Sequence, residues 1–227
     1  YVLLDGAMGT MLQKKGMEVG TVPETLNILK PEWIVDIHKS YIEAGADIVY
    51  ANTFGANRYK MENTGYSVKE LISAAIKNAK GTDTLVALDL GPIGQLLEPT
   101  GSLTFEEAYD IFKEEVVAAE GADVIVIETM TDLLETKAAV LAAKENSNLP
   151  VMTTMTFEEN KRTFTGCSVS AMCLTLQGLG VDALGVNCSL GPKDLLPIVE
   201  EISKWTYLPI VVKANAGLPD PVTNTYN

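Results

Sequence analysis

A short junction, glycine followed two residues later by aspartate and then by an apolar segment, occurs three times and most constrains how this chain folds. It is found as Gly45-Ala46-Asp47, Gly121-Ala122-Asp123 and Gly180-Val181-Asp182. A glycine that ends a helix shortly before a strand begins is typical of tightly wound βα units. The chain is therefore expected to repeat βα units around a parallel sheet.

Seven apolar segments have the length and character of buried parallel strands, and amphipathic segments separate them. They start near Tyr1, Ala46, Thr84, Asp123, Pro150, Val181 and Leu208. Polar residues follow many of these segments, which favours a (β/α)8 TIM barrel over a doubly wound open sheet with its single switch point. Such barrels typically have ~250 residues. We therefore predict one α/β barrel domain over residues 1–227, truncated before the eighth strand, with its C-terminal part absent.

Composition excludes several classes of function. Lys and Arg number 17 against 30 Asp and Glu, so the net charge of -13 would repel nucleic acid. The apolar runs are too short to span a membrane, and the amino terminus lacks a signal-peptide pattern. Three cysteines are too few for a disulfide framework in a chain of 227 residues. We expect a cytoplasmic protein without nucleic-acid or membrane partners.

Several polar residues stand at predicted strand ends, where barrel enzymes keep their active sites. Asp5 and Gly6 follow the first strand, Asn52 the second, and Glu128 closes the strand from Asp123, while Asn187 and Cys188 close the strand from Val181. Taken alone, Asp5 could be a helix or turn cap, and Cys188 a small buried hydrophobic residue.

The remaining candidates for chemistry are interpreted as structural. Cys173 lies on the apolar face of a predicted helix and Cys167 lies in a loop without metal-ligand spacing. His38, the sole histidine, is interpreted as a packed or surface residue. Residues 105–119 predict an acidic amphipathic helix capped by Thr104, with its glutamates outward: Glu106, Glu107, Glu114 and Glu115.

Five motifs, in order, resemble the homocysteine S-methyltransferase family, specifically the homocysteine-binding domain of cobalamin-dependent methionine synthases. The resemblance spans nearly the whole chain and is carried by Asp5-Gly6-Ala7-Met8-Gly9-Thr10, the segment 52–57, the loop 91–99, Ile127-Glu128-Thr129 and Asn187-Cys188 with Gly191-Pro192. The segment 215–219 is also similar to the family. One departure is plain, because the family's Gly-Gly-Cys-Cys motif on the eighth strand does not occur in this sequence.

The resemblance implies a zinc-dependent enzyme that activates homocysteine as a thiolate and methylates it to methionine. Cys188 would be a metal ligand, Asp5 and Glu128 would hold the substrate amino group, and the other substrate-binding residues would be Gly6, Asn52 and Asn187. No catalytic residue is implied beyond the metal-bound substrate thiolate. Methylcobalamin would be the methyl donor, on another domain or chain, and the partners would be cobalamin-binding and methyltetrahydrofolate-binding domains or subunits.

Three alternatives stay open. The barrel could bind an amino acid without catalysis, or it could use S-methylmethionine or betaine as methyl donor. It could also be an unrelated barrel enzyme such as an aldolase-type lyase, for which Lys213 is the one obvious strand-end lysine. Because the family's second cysteine motif is absent, the truncated chain is expected to be inactive on its own.

Overall fold

Six parallel strands form one sheet in the order in which they occur in the chain. The computed structural model describes residues 1–188 and 190–216. Its strands are β1 (Ile48–Tyr50), β2 (Leu85–Leu90), β3 (Val124–Met130), β4 (Val151–Met155), β5 (Ala183–Asn187) and β6 (Ile210–Lys213). This sequential order has no switch point, which excludes the doubly wound alternative.

The sheet curls, so that its two ends approach each other. Asp5 precedes β1 and Lys213 closes β6, yet their side chains lie 4.0 Å apart. Sequential parallel strands that curl in this way form the wall of an α/β barrel, as predicted. The predicted loop residues Gly217, Leu218 and Pro219 lie outside the described residues.

Helices alternate with the strands on the chain. The longer helices are α3 (Pro31–Glu43), α5 (Val68–Lys80), α6 (Phe105–Ala118), α7 (Leu133–Asn146), α8 (Val169–Gly178) and α9 (Pro192–Trp205), and the shorter ones are α1 (Met8–Lys14), α2 (Leu26–Leu29) and α4 (Arg58–Met61), with a 3-10 turn at Pro23–Thr25. Thr104 caps α6 in a capping box with Glu107, as predicted. Within the described residues, the search for a helix long and apolar enough to cross a bilayer found none.

The predicted strand at Tyr1 is wrong in extent, because it is reduced to a single bridge between Leu4 and Ile48. Asp47 holds the segment in place, since the Leu3 amide donates to its carboxylate at 2.7 Å. Among the described residues this segment has a strand neighbour on one side only, so the ladder that would extend it is half formed. Tyr1, Val2 and Leu3 are accordingly exposed.

One of the four glutamates predicted to lie outward on α6 is buried. Glu115 is only 1% exposed, whereas Glu106 and Glu114 are exposed. Glu115 follows Ile111 by four residues and therefore lies on the same apolar face of the helix. Burial raises the pKa of its carboxyl group well above the usual range.

The main core lies between the sheet and the helices around it, and includes the fully buried Leu88, Phe112 and Ile125. Cys173 is buried in this core, which confirms its structural interpretation. His38 is likewise buried, in α3. At Gly185 a Cβ atom would stand 1.8 Å from the Val211 carbonyl oxygen, so only glycine allows β5 and β6 to pack as they do.

Candidate functional site

All six predicted site residues line one open cavity of about 1570 Å³ on the concave face of the curled sheet. They are Asp5, Gly6, Asn52, Glu128, Asn187 and Cys188. The carboxyl ends of parallel strands meet at one edge of a sheet, which is why residues so far apart in the chain share this cavity. Cys167 and Cys173 are not among the residues that line it.

Two carboxylates and an aromatic ring surround one ammonium group at the cavity. The Nζ atom of Lys213 lies 3.4 Å from Glu128 Oε2 and 4.0 Å from Asp5 Oδ1. The same nitrogen is 3.8 Å from the centre of the Tyr50 ring, within cation-π range. The position of Lys213 Nζ is therefore suited to a cation.

The acidic side of the cavity, which includes Asp5 and Asp89, is strongly desolvated. Burial raises the pKa of Asp5 to about 7, although Lys213 and a hydrogen bond from the Tyr50 amide counteract that rise. Asp89, at the end of β2, is also buried, and burial together with Glu128 raises its pKa well above the usual range. The carboxyl groups thus hold protons more tightly than exposed ones, and a further cation would stabilise their ionised forms.

A β-bulge aims Glu128 into the cavity. Ile127 pairs with Thr153 and Met130 pairs with Met155, so two residues, Glu128 and Thr129, oppose a single residue of β4. Thr129 takes a left-handed backbone conformation with φ of 62°. Bulges with one residue out of the ladder commonly redirect a side chain next to an active site.

Asn187 is the hub that connects β3, β4 and β5. Its Oδ1 accepts hydrogen bonds from the Thr129 amide and from Thr154 Oγ1, both at 2.9 Å. Its Nδ2 donates to Thr129 Oγ1 at 2.8 Å and to Cys188 Sγ at 3.4 Å. The Asn187 side chain is 1% exposed, so water could not readily replace it as the hydrogen-bonding partner of these groups.

Cys188 stands where β5 ends, in a left-handed conformation with φ of 57°. Its amide donates to the carbonyl of Lys213, and its sulfur lies 3.7 Å from Thr129 Oγ1. Burial raises the pKa of the thiol, and the Thr129 hydroxyl counteracts that effect.

The described residues place too few metal ligands at Cys188 for a zinc ion. A catalytic zinc site uses three protein ligands and keeps one position open. Residues 1–188 and 190–216 contain no cluster of three or more His, Cys, Asp or Glu side chains suited to a metal. These residues therefore supply one thiolate and do not hold the ion by themselves.

Gly6 and Asn52 also line the cavity, and contacts with neighbouring residues restrict both positions. A Cβ atom at Gly6 would stand 2.8 Å from the Tyr41 ring, so this position has no room for a side chain. Asn52 donates from Nδ2 to the Pro23 carbonyl at 2.8 Å and to Asn27 Oδ1 at 3.1 Å. These bonds order the loop before α2, and any substrate contact from Asn52 stays a prediction.

Comparison with known proteins defines the family. The model of the family "Homocysteine S-methyltransferase" matches residues 2–227. The chain belongs to the homocysteine S-methyltransferase family. It is 32% identical to methionine synthase of Mycobacterium leprae (strain TN) over 244 residues, and 32% identical to that of Mycobacterium tuberculosis over 241 residues. Each match covers 95% of this chain but 20% of the methionine synthase, so the chain spans about a fifth of these relatives.

The fold agrees with this family membership. The metallated form of the homocysteine methyltransferase MmuM from Escherichia coli superposes with a TM-score of 0.86, over 96% of this chain and 84% of that one. At 23% identity this likeness concerns the fold alone. It confirms the predicted α/β barrel.

Sequence reasoning assigned no role at this candidate site to Tyr50, Asp89 or Thr129, and it considered Lys213 only for the lyase alternative. Asp89 and Lys213 interrupt or close apolar strands, and an ionisable residue in such a place is a signal that applies as well to them as to Glu128. Tyr50 and Thr129 carry no such signal, because their roles depend on contacts across the barrel. The site therefore has more charge, and of both signs, than its motifs indicate.

Proposed function

We propose that this chain binds homocysteine and presents its sulfur for methyl transfer, which forms methionine. The observation that carries the proposal is the pair Asp5 and Glu128, which face one cation position in the same cavity as Cys188. A ligand with an ammonium group at one end and a thiol at the other fits this arrangement. Membership of the homocysteine S-methyltransferase family supports the same ligand.

Asp5 and Glu128 would bind the substrate's amino group. Both carboxylates are largely withdrawn from water, with side-chain exposures of 2% and 14%. Charge-assisted hydrogen bonds in such surroundings are stronger than neutral ones and fix the direction of the ligand. The substrate would thereby be oriented with its thiol away from the acidic side.

Cys188 would act at the other end of the substrate, as one ligand of a zinc ion for which the described residues supply no further ligand. Zinc, when bound, keeps a coordinated thiol deprotonated at neutral pH. Asn187 and Thr129 contact the sulfur of Cys188 and would help to position it. In the transfer itself the substrate sulfur forms a bond to the methyl carbon, the thiol proton is released, and the donor keeps the electron pair of the bond that breaks.

The methyl donor we propose is methylcobalamin, carried on another domain or chain. The support is the 32% identity to methionine synthases, of which this chain spans only 20%. Cobalamin-binding and methyltetrahydrofolate-binding domains or subunits would then be the partners. S-methylmethionine and betaine are the alternative donors, and assays with each donor distinguish them.

The test compares homocysteine with 4-mercaptobutyrate, which keeps the thiol and carboxylate but lacks the amino group. Asp5→Asn and Glu128→Gln should each weaken homocysteine binding roughly 10- to 100-fold, the equivalent of a charged hydrogen bond of about 1.5–3 kcal/mol. Binding of 4-mercaptobutyrate should change little. Glu106→Gln, on the exposed face of α6, is the matched control. Equal losses for both ligands would contradict the assignment.

Two of the alternative functions have distinct outcomes. Tight homocysteine binding by the complete protein, without methyl transfer from any of the three donors, would favour a non-catalytic amino-acid-binding barrel. An aldolase-type lyase is disfavoured, because Lys213 Nζ is paired with Glu128 at 3.4 Å as a cation and so is a poor nucleophile.

A further inference from the structure

The position proposed for the substrate's ammonium group already holds an ammonium group of the protein. Asp5, Glu128 and the Tyr50 ring, here called the ammonium cage, surround Lys213 Nζ. This inference rests on the proposed function only for the identity of the natural ligand. The cage and its occupant are features of the chain itself.

Lys213 fills the ammonium cage loosely. Its distances to the two carboxylates are 3.4 and 4.0 Å, whereas a strong bond between an ammonium and a carboxylate measures ~2.7–2.9 Å. Asp5 Oδ1 receives no hydrogen bond within the described residues, although it is buried. A free ammonium group, which no strand tethers, can approach both carboxylates more closely than Lys213 does.

Two ammonium groups cannot share the ammonium cage without repulsion, because like charges in a desolvated site interact strongly. The Lys213 side chain can leave the ammonium cage, because it is flexible, stands at the end of β6 and is 21% exposed.

We propose that Lys213 is a tethered competitor for the ammonium cage: its side chain occupies the cage in the free protein and must swing out before an amine-bearing ligand can bind. In this role Lys213 lowers the apparent affinity for every ligand with an amino group. It also keeps the paired carboxylates neutralised while the site is empty, which limits the energetic penalty of burying them.

The first experiment uses Lys213→Met, which keeps the stem of the side chain and removes its charge. Calorimetry measures the binding of three ligands. They are homocysteine, 3-mercaptopropylamine without the carboxylate, and 4-mercaptobutyrate without the ammonium group. The substitution should tighten both amine-bearing ligands about tenfold, as expected if the open conformer is populated at roughly 10%. Binding of 4-mercaptobutyrate should stay unchanged. Lys39→Met, exposed on α3, is the control for net charge.

The opposite pattern would overturn the proposal. If Lys213→Met weakens homocysteine and 4-mercaptobutyrate, Lys213 anchors the substrate carboxylate instead. If no homocysteine binds to the unaltered protein, the proposed function fails, and 3-mercaptopropylamine alone then decides the role of Lys213. If Lys213→Met leaves the affinity for both amine-bearing ligands unchanged, Lys213 does not compete for the ammonium cage.

A second measurement, made on the unaltered protein, does not depend on whether Lys213→Met folds. The ε-methylene of Lys213 lies next to the Tyr50 ring and should give an upfield-shifted NMR signal in protein labelled with 13C at lysine Cε. The signal is assigned from its loss in Lys213→Arg. Saturation with 3-mercaptopropylamine should move it to the position of exposed lysines. A signal that keeps its upfield shift in the saturated complex would show that Lys213 stays in the cage.

Discussion

Replacing Asn187 by alanine tests whether one side chain holds the carboxyl ends of three strands together. Asn187 bonds to the amide and hydroxyl of Thr129, to the hydroxyl of Thr154 and to the sulfur of Cys188. Thr129 and Cys188 both have left-handed backbones, with φ of 62° and 57°. Residues in this conformation cost ~1–3 kcal/mol each and persist when surrounding contacts over-determine them.

The expected loss of stability follows from these contacts. The three bonds of 2.8 to 2.9 Å contribute about 1 kcal/mol each. Thr154 is 1% exposed, so its hydroxyl would lose its partner in a place that water reaches poorly. A buried polar group left in that state adds ~1–3 kcal/mol. We therefore expect Asn187→Ala to lower the free energy of unfolding by roughly 4–6 kcal/mol.

Thr154→Val is the matched control, because it removes one of the bonds and keeps the shape of the side chain. It should lower the free energy of unfolding by about 1 kcal/mol. Urea titrations, with hydrogen exchange measured for peptides that cover β4 and β5, give both values and localise the effect. Should the two substitutions cost the same, Asn187 would be an ordinary hydrogen-bonding residue, and the account of Thr129 and Cys188 would fail.

Two further predictions concern the metal ligand and the buried carboxylates. In the complete protein, where the remaining zinc ligands are present, Cys188→Ser should abolish zinc retention while the fold persists, whereas Cys167→Ser, away from the cavity, should retain zinc; stoichiometric zinc in purified Cys188→Ser would contradict the ligand role. Asp5 has a folded-state pKa of about 7 against an ordinary value of 3.8, so its stabilising effect is present below pH 3.8 and is lost as the pH rises to about 7. Asp5 by itself should contribute a fall of about 1.4 kcal/mol per pH unit to the free energy of unfolding within that window, and Asp5→Asn should remove this contribution while the other buried carboxyl groups keep theirs; parallel pH profiles for the two proteins would refute it.

The fold was accessible from the sequence because its signals are local. The glycine-aspartate junctions and the apolar runs predicted strands β1 to β6, and the structure confirms each of them. Two errors have tertiary causes. The segment at Tyr1 depends on strand neighbours that no local pattern reveals, and Glu115 is buried although its own charge favours solvent. The second error was avoidable, since helical spacing places Glu115 with Ile111.

The site was accessible only in part. Strand ends and family motifs indicated residues that do line one cavity. The bulge at Glu128 and the left-handed backbone at Thr129 were not foreseen, because they depend on Asn187, which lies 58 residues further along the chain. Residues such as these have unfavourable local conformations that distant contacts hold in place, so local propensity cannot predict them.

Lys213 shows that the charge balance of a site can change how its sequence motif is interpreted. Considered alone, Asp5 and Glu128 form an acidic pair that needs a cation, and the amino group of a substrate would supply one. The structure provides a cation from the opposite end of the sheet, 3.4 Å from Glu128. Ligand binding is then an exchange of one ammonium for another and not the filling of an empty acidic site. The affinity for an amine therefore reflects the difference between two ion pairs, and a residue that never reacts can set it.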